Sequence, residues 1–392
     1  MLPLSTLRRA RRAVAAVFLV NGIVFGSWAP HIPLVQERLA LSPAVLGTAL
    51  LAIAGGALVA MLASGAVIAR FGSAPVTAAS TLALCLALPL PVLAPNLPLL
   101  VAALACLGAA NGLMDVAMNA HGVAVETRLM RPIMSSLHGM YSLGGLIGAG
   151  VGALLLEMLP PAAHVLATAG GLLAVALVAL PRLLPGRVDV GGEAGPHFVL
   201  PSRTTLGLGA LCFLVMMSEG SALDWSAAYL RHDLGTGTSF AAAGFAAFSA
   251  AMAVGRFGGD RLRQHVGAVA LVRGSAFLAA AGLGLALLVG VPVAAVLGFT
   301  CMGLGLSNLV PVLFGTAGRL PGQEPGAAIA ATASVGYLGF LAGPPLIGLA
   351  AQGSSLGVAL GLVVLACGLV GACAGTVRIA DAPRALPAGE RR

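Results

Sequence analysis

The sequence predicts an all-α membrane protein, twelve transmembrane helices arranged as two pseudo-symmetric six-helix halves. Three observations carry that prediction. The chain is 59% hydrophobic and only 9% charged, whereas soluble domains carry about 25% charged residues. Apolar stretches near the ~20 residues needed to cross ~30 Å of hydrocarbon recur at 13–33, 44–69, 75–94, 97–124, 132–156, 161–181, 205–230, 239–258, 267–289, 292–316, 327–351 and 356–377. One long polar interruption, 183–204, leaves six of them on each side.

The basic residues orient the chain. All 21 are arginine, and only Arg38 and Arg231 fall between spans on one side; every other one falls on the opposite side. Positive charge collects in cytoplasmic loops, so both termini are expected in the cytoplasm, with the protein in the bacterial inner membrane. The sequence pI near 10.0 is then a topology signal and a response to anionic lipid, and no nucleic-acid partner is expected. The expected organisation is an N-terminal half at 1–182, a cytoplasmic linker at 183–204, a C-terminal half at 205–378 and a cytoplasmic tail at 379–392.

Taken in order, span 1 follows "RRARR" and imitates a signal peptide, but no small-residue cleavage site precedes Pro30, so it reads as a retained helix. Span 4 contains "NGLMDVAMNAHG". At ~100° per residue, Asn111, Asp115 and Asn119 advance about 40° per step and form one polar stripe, with Gly108 and Gly122 nearby. An ionised carboxylate in mid-membrane costs at least roughly 2.5–3.5 kcal/mol, so the stripe faces a wet cavity or a partner, or is a polar knot gluing helices together. His121, nearer the cytoplasmic end, reads as an interfacial residue.

Span 5 holds the one deep histidine, His138, with Ser135, Tyr141 and Ser142 on its side of the helix. It lies at the depth of Asn119, so it reads either as a relay partner of Asp115 or as a packing histidine. In span 7, Glu219 is near the middle and Asp224 nearer the far end, about 140° away around the helix. "EGSALDW" there resembles "NGIVFGSW" of span 1, which supports duplication and puts Glu219 in the place of Asn21. Asp224 with Trp225 reads equally as a helix-end cap with an interfacial anchor. The glycines of spans 5 and 11 suit close helix contact and sliding. The six cysteines all fall in spans without Cys-x-x-Cys spacing and read as packing residues, with no disulfide or metal implied.

Two loops carry a family resemblance. After span 2, "GAVIARFG" supplies Gly65, Arg70 and Gly72, with Ala69 where the pattern has an acid; after span 8, "GRFGGDRLR" supplies Asp260 and Arg261 behind Gly255. With the six-plus-six pattern, the whole chain resembles the major facilitator superfamily, and within it the fucose-permease-like branch and its bacterial inner-membrane relatives. The resemblance implies that family's fold, proton-driven movement of small polar solutes, and a conformational latch at Arg70, Asp260 and Arg261. An acid and an arginine at helix ends can cap a neighbouring helix and hold one conformation; the alternative is a solvated pair with only an orienting role.

Function follows from what the cavity holds and lacks. With no lysine and no arginine expected in the middle of any span, a carboxylate or phosphate would find no fixed cation. The expectation is therefore a secondary transporter of a small neutral polar solute, sugar-like or another metabolite. Asn21, Asn111, Asn119 and Asn308 would bind its hydroxyls, and Trp28, Tyr141 and Tyr337 would stack on a ring. Asp115, Glu219 and His138 are the proton-coupling candidates, isolated carboxylates being unlike the clustered oxygen ligands of a sodium site. The expected partners are the solute and the lipid bilayer, for a monomer without cofactor or metal, driven by the proton gradient. Two other classes have some support in the sequence. Proton-driven efflux of cationic amphiphiles draws on Gly343 to Pro345 in span 11, though span 4 has no arginine and "GMYSLGGLIGAGVG" no proline. An intramembrane serine protease would use Ser307 of "GLS" with His138 as base, without a fuller nucleophile motif.

Overall fold

The structure is a computed structural model describing residues 3–130, 133–184, 203–321 and 325–381; side chains at 135, 203–204, 259–261, 264, 325–327, 330 and 380–381 are not described. Most of the expected linker and tail thus lies outside the described residues. In hydrocarbon every backbone amide and carbonyl needs an internal partner, so the apolar stretches become helices. They are α1 (Leu4–Trp28), α2 (His31–Arg38), α3 (Pro43–Phe71), α4 (Ser73–Ala87), α5 (Pro89–Leu93), α6 (Leu97–Leu129), α7 (Met134–Met158), α8 (Pro161–Ala179), α9 (Arg203–Ala228), α10 (Thr238–Ala241), α11 (Ala243–Val266), α12 (Ala268–Val289), α13 (Pro292–Leu306), α14 (Leu309–Ala317), α15 (Pro325–Gln352) and α16 (Leu356–Ala372). Among the described residues, twelve helical segments are long and apolar enough to cross a membrane, matching the twelve spans read from the sequence.

Local chemistry explains the breaks. Pro89 and Pro91 separate α4 from α5 in the third span, since a proline supplies no amide and clashes with the preceding turn. α6 starts on Asn96, whose side chain accepts from the Leu99 amide at 3.1 Å, and α3 starts on Ser42 with Pro43 in its first turn. α9 runs on through a π-helical turn, Tyr229–Asp233. Two helices overrun the spans read from hydropathy: α6 continues to Leu129 and α11 to Val266.

The halves repeat one pattern of neighbours. α1 packs on α7 as α9 packs on α15, α3 on α6 as α11 on α13, and α4 on α8 as α12 on α16. Glycine makes the closest of these contacts. A β-carbon at Gly22 would collide with the Tyr141 carbonyl, and one at Gly144 with that of Leu19, so α1 and α7 meet backbone to backbone.

Two seams join the halves, α3 to α15 and α7 to α11. On the face where α1, α7, α9 and α15 end, the molecule is closed. Gly47 lies against Pro344 and Gly348 against Pro43, the Ala44 amide donates to Gln352 at 3.3 Å, and Arg231 pairs with Glu37 at 2.8 Å. Toward the other ends of α7 and α11, the Phe257 ring lies against Gly139.

Candidate functional site

α6 of one half and α9 and α11 of the other bring the acids to the seam. Asp115 accepts from Asn119 Nδ2, which lies 2.8 Å from its carbonyl and 3.2 Å from its carboxylate, so the two stripe residues bond along one helix face. Glu219 Oε1 lies 3.1 Å from Arg256 Nη2, and each side chain of that pair is 19% exposed, within reach of solvent. Arg256 Nη1 also donates to Ser142 Oγ on α7 at 2.9 Å. Tyr141 and Tyr337, one from each half, both lie within electrostatic reach of Asp115 and Glu219. Two carboxylates, a guanidinium and two phenols thus share one region.

Arg256 corrects the expectation that no arginine enters the interior. The hydropathy pattern ends its span at 258, where charges follow, but α11 continues to Val266, placing Arg256 about 15 Å inside the helix end at ~1.5 Å per residue. The signal available in the sequence was Glu219 itself, since a carboxylate that deep calls for a cation. With a guanidinium in the site, the argument against anionic solutes no longer holds.

The other candidates divide. Asn111 is half-buried with its Oδ1 unpartnered, and Asn21 is buried with an unpartnered Oδ1 and only a 3.9 Å contact from Nδ2 to Met118 sulfur. Those oxygens are acceptors without donors. Tyr337 is partly exposed beside Phe340. Trp28 is 1% exposed and packed into the core, so it offers no face to a solute. Asn308 stands at the break between α13 and α14, where Nδ2 donates to the Gly255 carbonyl at 2.9 Å; it props the backbone beside Arg256. His138 meets Phe18 edge-on at 5.3 Å, and its charged neighbour is Arg256; no hydrogen bond joins it to Asp115.

Four further readings are settled by position. His121 is fully buried and not interfacial: Nδ1 lies 2.8 Å from Ser73 Oγ and Nε2 accepts from the Leu184 amide at 3.1 Å, tying α6 to α4 and to the end of the sixth span. Trp225 is likewise buried and Asp224 is 8% exposed, so neither caps nor anchors at an interface. Ser307 donates to the Leu304 carbonyl and accepts from Asn308, and among the described residues no hydrogen bond joins it to His138. Of the latch, Arg70 is exposed with its guanidinium 5.2 Å from the Phe71 ring, while the Asp260 and Arg261 side chains lie outside the described residues. The six cysteines are unpaired.

Residues 14–344 match the model of the Major Facilitator Superfamily. An MFS-type transporter of Yersinia pestis is 40% identical over 89% of this chain and 90% of its own. Among solved structures, the nucleoside transporter NupG superposes with a TM-score of 0.71 at 12% identity, covering 96% of this chain and 100% of that one. The fucose:proton symporter FucP of E. coli gives 0.62 at 14% identity, covering 95% and 98%. At such identities these two structures speak for the fold.

Proposed function

Because the chain belongs to the Major Facilitator Superfamily, we propose that it is a secondary active transporter which moves a small polar, sugar-like solute by alternating access and couples that movement to protons. The observation that carries this reading is the Glu219–Arg256 pair beside the seam, bonded across it to Ser142, with Tyr141 beside it also within electrostatic reach of Asp115. A carboxylate that gains or loses a proton there changes what Arg256 holds, and so changes how firmly the halves adhere. The fucose:proton symporter and the nucleoside transporter among the structural neighbours support a polyhydroxylated class. In this reading the protein works as a monomer in the inner membrane with both termini cytoplasmic, and the closed face is periplasmic.

The second reading, efflux of cationic amphiphiles, is favoured by one observation: Asp115 and Glu219 outnumber the single guanidinium near them. Proteoliposomes loaded with a pH-sensitive dye test both. Addition of sugars, polyols or nucleosides should move protons with the solute, whereas cationic dyes should move protons against it. Dye fluorescence unmoved by every member of the panel would overturn proton coupling.

A further inference from the structure

Two histidines outside the transport site are stacked in the N-terminal half, close to the closed face. His31 opens α2 and His164 lies in the first turn of α8; they are 0% and 1% exposed. Their ring centroids are 4.9 Å apart with planes 14° from parallel, and His164 Nδ1 is 3.2 Å from His31 Nε2. His31 Nδ1 donates to the Ser27 carbonyl at 2.8 Å. That bond sets the tautomers: His31 Nε2 accepts from His164 Nδ1, and the Thr168 hydroxyl, 3.4 Å away, donates to His164 Nε2. Two ring protons serve four ring nitrogens, so both rings are neutral.

One more proton has two seats: His31, whose ring has the Pro161 carbonyl as a second acceptor beside that of Ser27, and His164 Nε2, where the Thr168 hydroxyl can turn from donor to acceptor. In the closed molecule either imidazolium would face no counter-ion: α4 and α5, which pack on α8, carry no charged residue, and Asp224 of α9, which packs on α2, is not among the charged neighbours of either ring. α1 offers Ser27 and Trp28; α8 carries no charged residue; α7 lays Gly152 against His164, and its Glu157 is exposed five residues further on. α2 carries Glu37 and Arg38 only at its far end. A buried cation with no partner is costly, and opening the face would admit water to it. The open state therefore holds the extra proton more tightly, and acid favours whichever state does so.

The pair is mechanically placed to act. His31 begins α2, Glu37 ends the same short helix, and Glu37 makes the Arg231 ion pair that closes the face. α2 also packs on α9 of the other half. We infer that His31 and His164 form a proton-binding site, separate from the transport carboxylates, through which acid shifts the Glu37 face toward its open state. His232, 3.8 Å from Glu37, works in the opposite sense, because its protonation adds a cation to Glu37 and tightens closure. Carboxylates such as Glu37 ordinarily titrate near about 4.3, below the pH range that matters here.

The test needs no solute, so it stands or falls apart from the transport reading. Full-length protein in nanodiscs, with Cys106, Cys301 and Cys373 changed to alanine, is spin-labelled at Pro95→Cys and Ser354→Cys, one in each half on the closed face. Distances between the labels are measured at pH 7.5 and pH 5.5. Acid should raise the ratio of long to short distances about tenfold, the change given by one proton bound ten times more tightly in the open state. The rise should vanish in His31→Gln/His164→Gln and shrink in Thr168→Val, which keeps both rings but removes the hydroxyl; if the double variant does not fold, Thr168→Val decides alone. His232→Gln should leave the rise intact or enlarge it. An unchanged or shortened distance in acid, a rise undiminished in the folded variants, or a rise abolished by His232→Gln would each overturn the inference.

Discussion

The Arg256 guanidinium holds both halves at once, with Nη2 3.1 Å from Glu219 Oε1 on α9 and Nη1 2.9 Å from Ser142 Oγ on α7. One side chain thus completes an ion pair within its own half and a hydrogen bond across the seam.

Removing one member of that pair strands the other. Glu219→Gln and Arg256→Gln should each lower stability by about 1–3 kcal/mol, discounted for partial exposure, while the double variant should recover part of the loss. Thermal unfolding in detergent checks this as a double-mutant cycle. Strictly additive losses would mean that the pair contributes nothing beyond its separate side chains.

Asp115→Asn keeps the shape of a protonated aspartate and cannot titrate. Uphill transport driven by an imposed pH gradient should be abolished, with solute binding retained. Accumulation in reconstituted vesicles at the wild-type rate would show the Asp115–Asn119 stripe to be structural and leave coupling to Glu219.

Glu37→Gln should loosen the closed face. With side chains 29% and 39% exposed, the Arg231–Glu37 pair is a surface ion pair, worth up to about 1 kcal/mol, so the open population should rise by about fivefold at most. Alkylation of a cysteine introduced at Ala44 reports it.

At the other closure point, volume decides. Gly47→Val would press a branched side chain into the Pro344 carbonyl. The α3–α15 seam should then fail to close on that face, with transport lost and the protein still monodisperse. Normal transport by this variant would show that α3 and α15 need not meet there.

The expected topology has its own check. A cysteine at Glu193, in the polar interruption between the halves, should react with a membrane-impermeant maleimide only after the cytoplasmic side is exposed.

The fold was legible because it depends on composition and spacing, which a sequence carries openly. Twelve apolar stretches and a polar interruption do not require knowing what touches what. The Asp115–Asn119 relation was equally readable, being a bond along one helix. What escaped was contact between distant segments. By hydropathy Arg256 lies at the very end of its span, because the pattern stops at the charges that follow, although the helix runs on through them. Arg231 reads from sequence only as a charge between spans, and the closed face alone pairs it with Glu37. Trp28 and Trp225 illustrate the reverse error: from sequence one reads as a stacking face for a solute and the other as an interfacial anchor, yet both are enclosed by neighbouring helices that no local pattern announces.

The seam between α1 and α7, where Gly22 meets Tyr141 and Gly144 meets Leu19 backbone to backbone, carries a consequence for temperature. Joined or parted, these helices lie in hydrocarbon, so closing the seam removes little apolar surface from water. The large heat-capacity change that bends the stability curve of a soluble domain arises from such surface. Association along this seam should therefore carry a small heat-capacity change, its free energy varying almost linearly with temperature. Cooling the membrane should not weaken it in the way that cooling weakens a water-driven core.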